Sequence, residues 1–312
     1  MTVGVTLDMT GPDHDIDDAV RRAREARASG LASLWFAQTL AHDAPTLAAL
    51  VGRAVPGIHL GTSAIPVFGR HPLTVVSQAQ TVQAATGGRF HLGLALGTKL
   101  VAEGAFGLPF ERPVARLREF LTVVRQLVHT GQADFEGELL TARTSRSPLP
   151  VAVPGAEPPV PLLVAAMGPQ ALRVSGRLAD GILPYLAGPR ALEQHIVPEL
   201  TRAAEEAGRP APRIVAFVPG VVTPDPDALR AKLHEQMSFY AQIPSYARVI
   251  ELSGHDHPIE LAVLGDEKNL VDAVRRYRDA GATEVVVSGT EADGPESRLR
   301  TWEVLGELAR GD

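Results

Sequence analysis

The feature that most constrains this chain is a repeated alternation. Short apolar, β-branched runs give way to helix-patterned stretches along nearly the whole length. The strand-like runs fall at residues 3–7, 32–37, 58–65, 89–96, 161–166, 181–185, 213–222 and 283–288. Several are continuously apolar, as expected of parallel strands covered on both faces. Helix patterns occupy residues 13–29, 44–55, 71–86, 111–130, 169–178, 189–207, 227–240, 266–280 and 297–309. The stretch 111–130 is the clearest. Val114, Leu117, Leu121, Val124 and Val128 recur there at helical spacing and form one buried stripe. Punctuation agrees: Pro72 suits a first helical turn, and Gly30, Gly87 and Gly131 suit helix ends.

Eight βα units in 312 residues predict an α/β fold, a TIM-type (β/α)8 barrel, with residues 1–312 as one domain. Residues 134–140 read as a short strand outside the rhythm, and residues 147–161 hold six prolines. The first reads as a surface insertion and the second as a stiff loop. A doubly wound sheet is the alternative. Its dinucleotide-binding form needs Gly-x-Gly-x-x-Gly straight after the first strand. Asp8-Met9-Thr10-Gly11-Pro12 stands there instead, and no Walker-type phosphate loop occurs.

Composition narrows the function. A chain that is 45% hydrophobic and 21% charged has the balance of a folded globular protein. No apolar run approaches the ~18 residues of a membrane span, and the first residues lack the basic, then apolar, pattern of a secretion leader. The cytoplasm is therefore the expected compartment, with no membrane partner. With no cysteine, disulfides, thiolate metal sites and a cysteine nucleophile are excluded. The net charge of −6 and the lack of a basic block argue against nucleic acid as a partner.

In a barrel the chemistry sits at the C-terminal strand ends. Gly97-Thr98-Lys99 follows the fourth strand, where glycine lets a ring or phosphate approach the backbone; the plain reading is a turn with a surface lysine. Ala166-Met167-Gly168-Pro169 follows the fifth, where a helix start offers free amides to an anion; the plain reading is a simple helix start. Arg70 offers an anion contact, while His71 and Asp43 suit helix caps better than catalysis. His42 beside Asp43 is the one acid/base pairing. His255-Asp256-His257 reads as a solvated loop, and His59, His91 and His129 as structural. No metal site and no hydrolase triad emerges. Strand ends this poor in ionisable groups suit chemistry carried by a bound organic cofactor.

The run Leu60-Gly61-Thr62-Ser63-Ala64-Ile65-Pro66, then Arg70-His71-Pro72, then residues 80–90 (QTVQAATGGRF) and Leu92-Gly93-Leu94 resembles the luciferase-like monooxygenase superfamily. Residues 163–181 and Gly188-Pro189 are similar to its coenzyme F420-dependent (deazaflavin) oxidoreductase branch. That resemblance implies a TIM barrel with an insertion at 134–159, and hydride transfer between F420 and a small organic substrate, in a homodimeric enzyme. It implies a non-proline cis peptide at Ser63–Ala64 behind the cofactor ring, and ring contacts from Gln38, Thr39, Gly97, Thr98 and Lys99. It places the cofactor phosphate at Ala166, Met167, Gly168 and Pro169.

One departure stands out. Relatives of this kind carry an acid and a histidine just after the tryptophan of strand two, and Gln38 and Thr39 stand in those positions here. Neither is a general acid at neutral pH. Thr39, His42 and Tyr185 are then the catalytic candidates, with Asp43 and water as further proton sources. An FMN-dependent monooxygenase on the same fold is the alternative reading, and a non-catalytic flavin or deazaflavin carrier is the second.

Overall fold

The computed structural model describes residues 2–11, 14–146 and 151–311. Pro12 and Asp13, at the start of the first expected helix, and residues 147–150 of the proline-rich stretch lie outside the described residues.

Eight parallel strands close on themselves. In spatial order they are β1 (Thr2–Leu7), β2 (Ser33–Phe36), β3 (His59–Thr62), β5 (Phe90–Ala95), β8 (Leu162–Ala165), β9 (Gly181–Ile182), β10 (Arg213–Val222) and β12 (Glu284–Ser288), which pairs back to β1. The expected barrel is therefore the observed one. Helices α1 (Ile16–Ser29), α2 (Ala44–Ala54), α3 (Pro72–Thr86), α4 (Pro113–Thr130), α5 (Pro169–Leu178), α6 (Pro189–Ala191), α7 (Val197–Glu206), α10 (Glu267–Asp279) and α11 (Gly294–Gly311) surround it. A π-helical turn, Leu192–Ile196, joins α6 to α7.

Three pieces go beyond the sequence reading. Strand β4 (Ile65–Pro66) pairs with β5 after β3 has ended. After β10 the chain makes α8 (Pro226–Ala241), a second helix α9 (Pro244–Leu252) and a short strand β11 (Val263–Gly265) beside β10. The expected strand at 134–140 is the hairpin β6 (Asp134–Glu136) with β7 (Thr141–Arg143).

Side chains alternate along each strand. Val3, Val5 and Leu7 of β1 point outward into the main core shared with the helices, as do Leu34 and Phe36 of β2. Trp35, Leu163, Leu183, Val215, Phe217 and Val286 point inward and form a separate core inside the barrel. Trp35 is large for that space, and the neighbouring strand β3 makes room for it with Gly61, while Gly93 of β5 lets the backbone of β3 come close. A Cβ at Gly61 would overlap the Trp35 indole, and one at Gly93 would overlap the Thr62 carbonyl oxygen.

The close approach at Gly93 has a purpose in the ladder. Thr62 Oγ1 donates to the Gly93 carbonyl at 2.9 Å and accepts from the Gly93 amide at 2.9 Å. A side-chain hydroxyl thus substitutes for backbone pairing where β3 turns away from β5. Directly after it the Ser63–Ala64 peptide is cis, as the resemblance implied.

Candidate active site at the barrel mouth

The inward side chains fall into layers, and the top layer is short. Thr6, Ala37, Ser63, Ala64, Ala95, Ala165 and Ser288 end the strands around a cavity of about 1350 Å³ at their C-terminal ends. Leu183 and Phe217 complete its floor, and Trp35 packs edge-on beneath Phe217 at 5.4 Å. Small side chains on a sealed base leave a broad shelf with room for a planar ring.

The bottom layer is the opposite. Glu284 is 3% exposed and accepts from Ser33 Oγ at 2.5 Å, Arg213 Nη2 at 2.9 Å and Trp35 Nε1 at 3.4 Å. His91 stacks between Trp35 and His59 and lies 3.2 Å from Arg213. Burial, and then the Arg213 charge, push the His91 imidazole down to about 3. It is neutral at physiological pH and sits under the shelf, out of reach of the cavity.

The mouth has three walls. On one, Gly168 starts α5 in extended geometry with no side-chain cap. Pro169 has no N–H, and the Gln170 and Ala171 amides are first-turn donors without intrahelical acceptors. A Cβ on Gly168 would meet nothing within 4 Å, so the space before these amides is open. An uncapped helix start facing open space fits a phosphate, and the shelf beside it fits the ring. On the second wall, Gly97 (φ 76°) turns the chain after β5 and presents Thr98 and Lys99. Lys99 is largely in solvent, 3.7 Å from Glu103.

The third wall is aromatic. Tyr185, Tyr240 and Tyr246 pack edge to face, with centroids 5.2 to 6.0 Å apart. Burial first, and the adjacent Tyr240 second, hold the Tyr185 phenol well above its ordinary range; Ser288 acts against this weakly. Tyr246 is pushed up as well, chiefly by burial. Both stay protonated and serve as hydrogen-bond donors, not as acids that ionise. The Ser288 hydroxyl is buried beside the Tyr185 phenol and makes no hydrogen bond of ordinary geometry among the described residues.

The structure sorts the residues singled out in the sequence. Thr39, Ser63, Ala64, Gly97, Thr98, Lys99, Ala166, Met167, Gly168, Pro169 and Tyr185 all line the one cavity. Gln38 and His42 do not. The Gln38 amide braces the β2–α2 loop, donating to the Thr39 carbonyl at 2.7 Å and accepting from the Ala44 amide at 3.1 Å. Thr39 Oγ1 is tied to the same loop, accepting from the His42 amide at 3.0 Å. Arg70 is not free for an anion. Its guanidinium is consumed by Asp43 at 2.7 Å and by Gln38 and Gln78 at 3.0 Å. Burial works to raise Asp43, but the bonds from Arg70 and Thr46 prevail and hold its carboxyl below the usual range. It caps α2, accepting from the Thr46 amide, and His71 caps α3.

Phe239, Tyr240, Tyr246, Arg248 and Ser288 also line the cavity, though the sequence marks the Ser288 strand end and the loop from Tyr240 only as regions and singles out none of these side chains. The aromatic spacing in 239–246 was the available signal. Among the described residues, no group of three or more His, Asp or Glu is placed to hold a metal ion. No helix among them is long and apolar enough to cross a membrane.

A barrel whose mouth pairs a short-sided shelf with an uncapped helix start has the shape to take a planar group that carries a phosphate. The chain belongs to the luciferase-like monooxygenase family, whose model matches residues 1–284. It is 30% identical over 309 residues to an F420-dependent glucose-6-phosphate dehydrogenase of Kineococcus radiotolerans, covering 89% of this chain and 88% of that one. The fold matches an F420-dependent secondary alcohol dehydrogenase solved with an F420–acetone adduct (TM-score 0.80, 18% identity, 98% and 97% coverage). It also matches the FMN-bound oxygenating component of 3,6-diketocamphane monooxygenase from Pseudomonas putida (TM-score 0.77, 15% identity, 99% and 97% coverage).

Proposed function

We propose that this chain is a coenzyme F420-dependent oxidoreductase that moves a hydride between the deazaflavin and a small organic substrate. The observation that carries the reading is the pairing of the uncapped α5 start with a shelf of short side chains, in a mouth whose described lining holds no histidine and one carboxylate, Asp8, already bonded to Thr10. The F420-dependent relatives support the choice of cofactor.

When bound, the deazaflavin supplies the carbon at which two electrons are exchanged as hydride. The protein's contribution is placement. The α5 amides at Gln170 and Ala171 hold the phosphate, with Ala166, Met167, Gly168 and Pro169 shaping the cradle. Ser63–Ala64 backs the ring, while Thr39 and the Gly97-Thr98-Lys99 turn flank it. Tyr185, neutral across the physiological range, donates a hydrogen bond to a polar atom on the substrate. The tyrosine wall excludes water from one side. His42, outside the lining, takes no part, so a proton required by the reaction comes from solvent.

The test is a fluorescence titration of the protein with F420 and, separately, with FMN. Saturable quenching of F420 with a much weaker response to FMN is expected. Tight FMN binding without F420 binding contradicts the reading and favours the monooxygenase. F420 binding without turnover of any enone, imine, ketone or nitro compound favours a carrier.

A further inference from the structure

Three side chains with full charge line the cavity: Asp8, Lys99 and Arg248. Two of them are engaged. Asp8 accepts from the Thr10 amide at 2.9 Å and the Thr10 hydroxyl at 2.7 Å, and Lys99 faces Glu103. Arg248, on α9, is exposed, and among the described residues no hydrogen bond, ion pair or ring contact holds it. Arg70, the other cation placed at this end by the sequence, is spent on Asp43.

The surroundings of Arg248 define what it receives. The same helix carries Tyr246, and the preceding one carries Phe239 and Tyr240. With Tyr185 they form an aromatic surface, beside which Gln242 and Ser245 also line the cavity. Between the α5 start, which follows β8, and α9, which follows β10, lies β9. The two anion-competent positions are therefore separated around the mouth. A single guanidinium balances one negative charge and matches a carboxylate in shape. A phosphate dianion carries a second charge, and among the described residues no other cation lines this wall.

We propose that Arg248 receives the carboxylate of the substrate, with the substrate's apolar body against Tyr185, Tyr240 and Tyr246. The substrates are then organic acids with a hydrophobic body. The inference rests on the reading that α5 takes the cofactor phosphate, which leaves Arg248 for a second anion. The cofactor's own anionic tail is the competing source of charge.

Matched acid and amide pairs separate these cases: 3-phenylpropanoate, cyclohexanecarboxylate and octanoate, each against its amide. Calorimetry follows their binding to the protein alone and to protein saturated with oxidised F420. At least one acid is expected to bind about tenfold more tightly than its amide. Arg248→Gln abolishes that preference, Arg248→Lys retains part of it, and F420 affinity stays within about twofold. No acid outbinding its amide overturns the proposal, as does a preference that survives Arg248→Gln. Loss of F420 affinity in Arg248→Gln, with the acid preference intact, assigns the residue to the cofactor tail and also overturns it. If F420 fails to bind the unaltered protein, the cofactor reading fails instead. The acid preference of the protein alone then still decides on Arg248.

Discussion

The two ends of the barrel interior are built on opposite principles. At the N-terminal end, Ser33, His59, His91, Arg213 and Glu284 meet in one layer, tied by hydrogen bonds and ring stacking. At the C-terminal end the strands finish in Thr6, Ala37, Ala95, Ala165 and Ser288, with open space above. The contrast shows why perturbed ionisation alone is a poor guide to function. Burial and the Arg213 charge push His91 far down, to about 3, yet it lies in the closed end. The open end holds donors without acceptors: the α5 amides, the buried Ser288 hydroxyl and Arg248.

Changes that break packing inside the barrel carry the largest expected cost. Gly93→Ala sets a methyl group against the Thr62 carbonyl oxygen, where backbone must shift. We expect a loss of roughly 3 kcal/mol or more, read by chemical denaturation. Glu284→Ala leaves Arg213, Ser33 and Trp35 without their acceptor and costs about 3 kcal/mol, while F420 affinity changes little. Equal losses of stability and affinity in that variant would mean the two ends are not separable.

The pH dependence sharpens the same comparison. The His91 imidazole takes a proton below about 6.5 in the unfolded chain but only near 3 in the folded one. Between those values the unfolded state binds more protons, so stability is complete above the unfolded value and falls as pH drops. From about pH 7 to pH 5 this amounts to about 2 kcal/mol. His91→Gln should flatten the stability profile in that window by a similar amount. An unchanged slope would place the acid sensitivity elsewhere.

At the open end, Tyr185→Phe should leave stability within about 1 kcal/mol. Turnover should fall about tenfold to a hundredfold, the worth of one strong hydrogen bond. Because the phenol stays neutral, the unaltered enzyme's rate should show no Tyr185 ionisation step between about pH 6 and pH 9. A rate unaffected by the substitution removes Tyr185 from the site.

Most of the fold was legible because local patterns carry it. Each barrel strand is a β-branched or apolar run bounded by glycine, proline or a helix cap, and those signals sit within a few residues of one another. Helix α9 was not legible: it is short, its first residue is Pro244, and it follows α8 after only two residues. The pairing of β4 with β5 depends on where β3 leaves the sheet, which is a property of the Thr62–Gly93 contact across 31 residues.

The site divides in the same way. Turn glycines and helix starts at Gly97 and Gly168 are local and were readable. That Arg70 is used up by Asp43, 27 positions away, is not. Nor is the meeting of Tyr185 with Tyr240 and Tyr246, which requires the α8–α9 excursion to fold back over β9. Long-range packing decides which polar groups stay available, and availability is what marks the mouth.

The central claim is that the open end, through the uncapped start of α5, holds the cofactor's phosphate. Gly168→Asp tests it most directly, because its two effects have opposite signs. Gly168 has ordinary extended geometry (φ −79°, ψ 149°) and open space at its Cβ position. An aspartate there caps α5, so stability should hold or rise by a few tenths of a kcal/mol. The same carboxylate opposes a phosphate at those amides. The account predicts a melting temperature that is unchanged or higher, together with an F420 dissociation constant raised at least about tenfold. An unchanged F420 affinity in a well-folded Gly168→Asp protein would contradict it.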